Sequence, residues 1–168
     1  IALYHQKDFL KPNDKKWLSL YSSPDNYYDY GKIGCYGKST RLAIITYGNG
    51  VFLSRQAQEK LKDMSQDIMV IDLRWLIPLP LDELLKKISQ IKNILIVDEC
   101  RKSGSLSETI LSQLYLHLRE KINLHVITAQ DSYISLGSSA KFLLPNLEKI
   151  VKACQNILNS NNKSHTIL

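Results

Sequence analysis

The stretch whose residue types most clearly suggest a ligand-binding site is ITYGNGVFLS, residues 45–54. Three residues that favour β-structure run into Gly48-Asn49-Gly50, and an apolar segment able to form a helix follows. A strand, a glycine turn and a helix N-terminus together often cradle a phosphate group. Asp72 ends the next apolar segment, at about the distance where a dinucleotide-binding fold places its ribose-binding acid. The pattern therefore allows either a nucleotide site or a tight strand-to-helix turn.

The match to the dinucleotide fingerprint G-x-G-x-x-G is incomplete. Gly48 and Gly50 fill its first two positions, but Leu53 stands where the third glycine lets the helix pack closely on the strand. Arg74 follows Asp72 by two residues and can pair with it locally. The pattern favours a tight turn made possible by the two glycines. A free-standing dinucleotide-binding module that uses Gly48, Gly50 and Asp72 is the alternative.

A second polar turn lies in VDECRKSGSLSE, residues 97–108. Acids at the end of a strand in an α/β sheet face the crevice where ligands bind, and Gly104-Ser105 opens a helix whose N-terminus could hold an anion. The turn lacks the G-x-x-x-x-G-K pattern of a phosphate-binding loop. We expect its acids to cap the helix, to pair with a neighbouring base or to face another subunit. The acids are Asp98 and Glu99, and the bases are Arg101 and Lys102.

No set of residues with the spacing of a catalytic or metal centre stands out. His117 falls within a predicted helix and His125 within an apolar strand, and there is no G-x-S-x-G elbow and no paired histidine ligand. Three cysteines, Cys35, Cys100 and Cys154, are far apart, which fits a reducing compartment and provides no zinc spacing. The sequence therefore predicts no catalytic, cofactor-binding or metal-binding residue in this chain.

Composition narrows the class of protein. The chain has 168 residues and a net charge of +6, and its basic residues are spread along it without a nucleic-acid-binding signature. No apolar run approaches the roughly 20 residues of a membrane helix. We therefore expect a globular protein that binds neither nucleic acid nor membrane. The sequence does not begin with Met, which suggests a chain cut from something longer.

Apolar segments alternate in type from Arg41 onward, and the pattern predicts an α/β fold. Near-continuous Val/Ile/Leu runs are typical of strands buried on both faces, and 10–16-residue helical patterns separate them. The expected fold has three layers, α/β/α, around a mostly parallel sheet. The predicted strands are 41–47, 68–73, 93–99 and 123–129, the helices are 51–65, 81–91, 105–120 and 146–159, and 130–140 is a loop.

The two ends of the chain differ from this regular part. Residues 1–40 are rich in Tyr, Asp, Asn, Ser and Pro, and predict an irregular arm that lies against its own domain or a neighbour, with a short strand near Ile33–Tyr36. Residues 160–168 are polar and predict a flexible tail. The regular domain is thus predicted to occupy residues 41–159.

Several of these segments together resemble a known family. They are TYGNGVFLSRQA, VIDLRWLIPLPLDELL, NILIVDECRKSGSLSETI, ITAQDSYISLG and FLLPNLEKIVKAC. In this order they resemble the C-terminal domain of transketolase-like thiamine diphosphate enzymes. The greatest similarity is to the beta part of the decarboxylating component of 2-oxo acid dehydrogenases, such as pyruvate and 2-oxoisovalerate dehydrogenase. Residues 1–10 look like the end of a preceding pyrimidine-binding domain, and the long arm resembles versions with fused alpha and beta parts.

The resemblance implies a parent enzyme that decarboxylates a 2-oxo acid in the cytoplasm and passes the acyl group to a lipoyl carrier. In that family the motif G-D-G…N, which holds thiamine diphosphate and Mg²⁺, lies in an earlier domain, as does the acid that activates the cofactor. Neither is in this chain. The isolated chain is therefore expected to be inactive and to bind no thiamine diphosphate.

The resemblance also implies partners. In the family this domain helps to build a homodimer and docks the subunit-binding domain of the acyltransferase. Glu108, Asp131 and Tyr133 are the candidate interface residues, since acids could pair with a basic partner. Structural roles remain open for each: Glu108 could complete a capping box with Ser105, Asp131 could start a turn and Tyr133 could cover the core. A non-catalytic interaction or regulatory domain is a further alternative.

Overall fold

The computed structural model describes residues 25, 27–118, 122–134 and 139–163, apart from the side chains of residues 141 and 161–163. Five strands and five helices alternate along this part of the chain. They are β1 (Gly34–Tyr36), β2 (Ala43–Thr46), α1 (Asn49–Lys62), β3 (Met69–Asp72), α2 (Leu81–Ile88), β4 (Asn93–Arg101), α3 (Leu106–His117), β5 (Asn123–Ala129), α4 (Ala140–Leu143) and α5 (Leu147–Lys163).

The strands form a single sheet in the order β1-β3-β2-β4-β5. Strands β2 to β5 pair in parallel, and only β1 runs antiparallel, against β3. After β1 at one edge, the chain enters the middle of the sheet at β2, turns back to the β1 side with β3 and then crosses to the other side with β4 and β5. The order in which successive strands are added to the sheet therefore reverses between β2 and β4. Open α/β sheets commonly bind ligands at such a point.

Apolar side chains on both faces of the sheet form two separate cores. Ile44 of β2 belongs to the cluster that contains Ala57 of α1 and Cys154 of α5. Its neighbour Ile45 belongs to the cluster that contains residues of α2 and α3, such as Leu84 and Ile110. All four residues of β2 are buried, because successive side chains of a strand point to opposite faces and both are covered. The predicted three-layer α/β/α fold is confirmed.

Several element boundaries differ from the prediction: α1 and α2 end three residues early, at Lys62 and Ile88, and β4 continues two residues further, to Arg101. Helix α1 begins at Asn49, two residues early, because Gly48 takes a positive φ of 54° and turns the chain directly into the helix. Helix α4, at Ala140–Leu143, was not predicted, since four residues carry no readable periodicity. Helix α5 continues to Lys163, through polar residues that the pattern assigned to the tail. Residues 164–168 of the predicted tail lie outside the described part.

The described part of the N-terminal arm packs on its own domain. Strand β1 confirms the short strand expected near Ile33–Tyr36. Before it, the ring of Tyr28 lies 3.7 Å from the Arg74 guanidinium carbon. The ring of Tyr30 lies 4.6 Å from that of Trp75. Tyr28 and Tyr30 thus pack the arm against Arg74 and Trp75, two consecutive residues that follow β3. Residues 1–24 of the predicted arm lie outside the described part.

None of the helices within the described ranges is both long and apolar enough to cross a membrane.

Candidate functional site

Two of the predicted interface residues hold the same loop, the one that joins β4 to α3. The backbone N–H and the hydroxyl of Ser103 donate to the two carboxylate oxygens of Asp131, at 2.9 and 2.6 Å. The adjacent N–H, of Gly104, donates to the carboxylate of Glu108 at 3.0 Å. Consecutive amides are therefore fixed by acids from two different elements, and the loop after β5 is tied to the start of α3.

The carboxyl of Asp131 has a lowered pKa although it lies in solvent. The hydrogen bond from the Ser103 hydroxyl is the largest cause, followed by the one from the Ser103 N–H, and the charges of Lys102 and Arg101 act in the same direction. Each of these stabilises the ionised form. Asp131 therefore presents a carboxylate whose position is set by two hydrogen bonds.

The capping box expected between Ser105 and Glu108 at the start of α3 does not form. Ser105 is the N-cap, but its hydroxyl makes no capping bond and instead lies 2.5 Å from the hydroxyl of Ser107. Glu108 reaches back to the N–H of Gly104, one residue before the N-cap. The N–H of Ser107 donates to Asp98 at 3.0 Å. A strand carboxylate therefore supplies the cap that the serine would normally provide.

Asp98 is 1% exposed and accepts three hydrogen bonds. Besides Ser107, the donors are the hydroxyl of Tyr47 at 2.6 Å and the N–H of Cys100 at 2.8 Å. Burial, together with hydrogen bonds to Asp98 and Cys100, raises the pKa of Tyr47. Tyr47 and Asp98 bridge the ends of β2 and β4, at the point where the strand order reverses. Of the three roles left open for Asp98, capping of the helix is the one observed.

Tyr133 differs from the other two interface candidates because its side chain is 99% exposed. It therefore does not cover the core. Gln130 donates from its N–H to the carbonyl of Leu143 at 3.3 Å, which places α4 beside the loop. Phe142 of that helix is also largely exposed. We call the patch formed by Ser103, Gly104, Glu108, Asp131 and Tyr133 the Asp131 surface.

The glycine turn of residues 45–54 is built for close packing. Gly50 is required at its position, because a Cβ there would lie 2.1 Å from the hydroxyl of Thr46. That hydroxyl is itself buried and donates to the carbonyl of Val97 at 2.9 Å. Leu53, in the place of the third fingerprint glycine, belongs to the core. These contacts support the tight-turn interpretation.

Asp72, the candidate ribose-binding acid, pairs with a residue close to it in the sequence. Asp72 accepts a hydrogen bond from the N–H of Arg74 at 3.2 Å and forms a 3.4 Å ion pair with its Nε. The expected pairing is confirmed. The Arg74 guanidinium passes directly over Gly34 of β1, where any Cβ would lie within 3 Å of it. Arg74 also has a positive φ of 53°, an uncommon conformation for a residue with a side chain.

Several residues of these networks were not identified from the sequence. Tyr47 directly follows a strand that ends at the same sheet edge as Asp98, and this spacing is the signal that could have linked them. Ser103 carried no such signal. The ring of His117 hydrogen-bonds to the Gln113 carbonyl of its own helix at 2.9 Å, and His125 is exposed on the edge strand β5. Within the described ranges, no three His, Cys, Asp or Glu side chains are grouped as a metal site would need.

The fold and these loops define a three-layer α/β/α domain around a mostly parallel sheet. The family model described as "Transketolase, C-terminal domain" matches residues 31–150, and the chain belongs to that family. The resemblance seen in the sequence is therefore confirmed.

The similar curated proteins are beta subunits of pyruvate dehydrogenase E1. The one from Bacillus subtilis (strain 168) is 23% identical over 150 residues, covering 84% of this chain and 46% of the relative. The one from Cyanidium caldarium is 26% identical over 161 residues, covering 94% of this chain and 46% of the relative. The chain thus spans about half the length of these relatives.

Two solved structures share this fold over most of the chain. A split-gene transketolase, an inactive beta4 tetramer, superposes with a TM-score of 0.70 at 16% identity, over 84% of this chain and 46% of that one. A 2-oxoglutarate:ferredoxin oxidoreductase from Magnetococcus marinus gives 0.57 at 18% identity, over 77% of this chain and 20% of that one. At these identities the likeness establishes the fold alone.

Proposed function

We propose that this chain is the C-terminal assembly and docking domain of a thiamine diphosphate-dependent 2-oxo acid dehydrogenase. The observation that carries the proposal is the match of most of the chain to pyruvate dehydrogenase E1 beta subunits. The parent oxidoreductase would act in the cytoplasm as a homodimer, decarboxylate a 2-oxo acid and pass the acyl group to a lipoyl carrier. The cofactor would supply the carbanion chemistry.

The acids of the described residues support a non-catalytic role for this domain. Asp98 accepts three hydrogen bonds, Asp72 is paired with Arg74, and Asp131 is held by Ser103. The described part also lacks a cluster of ligands for the Mg²⁺ that accompanies thiamine diphosphate. We therefore assign that cofactor to other domains of the parent.

The Asp131 surface is our candidate for docking. Asp131 and Glu108 are exposed carboxylates held in place by the β4–α3 loop. Preorganised charges of this kind lose little entropy when a basic partner pairs with them. Tyr133 offers a large, exposed aromatic side chain, and such residues often dominate binding energy. The proposed partner is the subunit-binding domain of the acyltransferase.

Surface plasmon resonance of the chain over an immobilised acyltransferase subunit-binding domain tests this proposal. We expect Tyr133→Ser to weaken binding about tenfold or more, and Asp131→Asn to reduce the dependence of binding on salt. Tyr115→Ser is the matched control, because Tyr115 is also largely exposed and lies about two turns of α3 beyond Glu108. Equal losses for Tyr115→Ser and Tyr133→Ser would argue against the Asp131 surface.

Calorimetry with thiamine diphosphate and Mg²⁺ tests the cofactor assignment. We expect no saturable binding to the isolated chain, and micromolar binding would contradict the proposal. A parallel titration with NAD tests the dinucleotide alternative, which requires saturable binding that Asp72→Ala weakens.

A further inference from the structure

A cavity of about 460 Å³ lies at the carboxyl ends of β2 and β3, beside the start of α1. This volume falls within the roughly 300–1,000 Å³ typical of small-molecule sites. Four aromatic side chains line it, two from the arm and β1, one from α1 and one from the turn after β3. They are Tyr28, Tyr36, Phe52 and Trp75. Aromatic faces on several sides suit a flat ring, which can stack or pack edge to face.

Two arginines line the same cavity, and they differ in whether an acid neutralises their charge. Arg74 lies 3.7 Å from the centre of the Tyr28 ring and forms its ion pair with Asp72, so the two charges largely cancel. Arg55, from α1, lies 4.3 Å from the centre of the Tyr36 ring. Its Nε is buried and has no hydrogen-bond partner within the described residues. Arg55 is therefore the cation available to a ligand.

Two further features favour an anion at this place. The indole N–H of Trp75 is a second buried donor that finds no acceptor in the described part of the chain. Buried donors without acceptors are costly, so an acceptor group that enters the cavity would be favoured. Helix α1 starts at the cavity with no acid in its first turn and no side-chain cap, so the positive end of its dipole is not neutralised.

We propose that this cavity binds a nucleoside monophosphate, a small anion in which a single phosphate group is joined through a sugar to a planar base. The phosphate lies between Arg55 and the start of α1, and the ring lies among the aromatic walls. This site differs from a dinucleotide fingerprint, since Asp72 is paired with Arg74 and Leu53 is in the core. It is independent of the docking proposed for the Asp131 surface, which lies on other loops.

Calorimetric titration of the whole chain with AMP tests the site, with adenosine and inorganic phosphate as the two half-ligands. We expect saturable binding of AMP and weaker binding of adenosine and of inorganic phosphate. Arg55→Gln should weaken AMP binding at least about tenfold, since it removes a charged donor. Lys60→Gln is the matched control, because it removes the same charge from an exposed position on the same helix and should change nothing.

A second variant tests the site independently, in case Arg55→Gln does not fold. Val51 lines the cavity in the first turn of α1. Val51→Glu places an acid where the helix dipole favours it, so the helix keeps its stability while the new charge repels a phosphate. We expect Val51→Glu to abolish AMP binding with an unchanged melting temperature. Absence of AMP saturation at millimolar concentration, or equal affinity in the wild type and both site variants, would overturn the proposal.

Discussion

Tyr47 and Asp98 share a 2.6 Å hydrogen bond across the ends of two neighbouring parallel strands. Because Asp98 also accepts from the N–H groups of Cys100 and Ser107, one buried carboxylate connects β2, β4 and the first turn of α3. Among the donors to Asp98 in the described part of the chain, the Tyr47 hydroxyl alone comes from outside the β4–α3 segment. This bond therefore links the two halves of the sheet where the strand order reverses.

Replacing Tyr47 with Phe removes this link and should lower the free energy of unfolding by about 1–3 kcal/mol at neutral pH. The pKa of Tyr47 is raised above the ordinary value of 10.0 by burial and by its hydrogen bonds. The folded chain therefore keeps this proton after the unfolded chain loses it. The stabilisation is complete below pH 10 and falls as the pH rises further.

Urea unfolding of wild type and Tyr47→Phe at pH 8 and at pH 10.5 measures both effects. The difference in stability between the two proteins should shrink at the higher pH. Asp98→Ala, which leaves three donors without an acceptor, should cost more than Tyr47→Phe. A pH-independent difference between wild type and Tyr47→Phe would show that the tyrosine does not titrate as its surroundings imply.

Gly50→Ala should destabilise the fold, although Ala favours helices. The new Cβ would meet the Thr46 hydroxyl at 2.1 Å, and overpacking of a buried site costs about 1–3 kcal/mol. Thr46→Ala removes the obstructing hydroxyl, so the double variant should lose less stability than the sum of the two single variants. Chemical unfolding of the four proteins gives this coupling energy.

Gly48→Ala is the control for that cycle. A Cβ on Gly48 meets nothing within 4 Å, and only its positive φ opposes a side chain. Thr46→Ala should therefore leave the effect of Gly48→Ala unchanged. If Thr46→Ala rescues Gly48→Ala and not Gly50→Ala, the close contact at Gly50 is not what selects glycine there.

The sequence predicted the sheet well because its central strands are buried on both faces. All of Ala43–Thr46 is buried, so an unbroken apolar run was a direct signal. The short helix α4 and the polar end of α5 gave no such signal, since neither has a repeating apolar face within the residues concerned. Segments without a repeating apolar face were therefore the ones that the pattern missed.

The candidate sites were harder to predict than the fold, because their contacts join distant parts of the chain. Asp72 and Arg74 are two residues apart, and their pairing was readable. Asp98 and Tyr47 are 51 residues apart, and only the order of the strands brings them together. The rings beside Arg55 and Arg74 come from the arm and β1, whose position depends on the pairing of β1 with β3.

The hydrogen bonds of Asp131 predict a pH effect at the Asp131 surface. The pKa of this carboxyl is lowered from 3.8, mainly by the Ser103 hydroxyl. Because the pKa is lowered in the folded chain, the link between the two loops is complete above the ordinary value and is lost as the pH falls through the lowered one. The amide proton of Ser103, followed by NMR, should titrate with a midpoint below 3.8.

Two variants separate the contributions to this titration. Asp131→Asn should abolish it. Ser103→Ala keeps the backbone donor and loses the hydroxyl, so its midpoint should move up toward the ordinary value. An amide that titrates identically in Ser103→Ala and wild type would show that the hydroxyl does not lower the pKa of Asp131.

The three thiols should differ in reactivity toward Ellman's reagent at pH 8. Cys35 and Cys100 are exposed, whereas Cys154 is buried in the core between α1 and α5, and burial raises its pKa to about 12. The thiolate is the reactive form, so Cys154 is protected by both its pKa and its position. The native chain should release two equivalents of thionitrobenzoate, Cys35 more slowly because partial burial raises its pKa also.

Unfolding in urea should release the third equivalent, and Cys154→Ala should remove only that one. The rate of the third reaction in native buffer then reports how often the core beneath α5 opens, because Cys154 must be exposed before it can ionise. Rapid release of three equivalents from the native chain would mean that α5 detaches from the sheet on the timescale of the reaction, which would contradict the packing of Ile150 and Leu158 in that core.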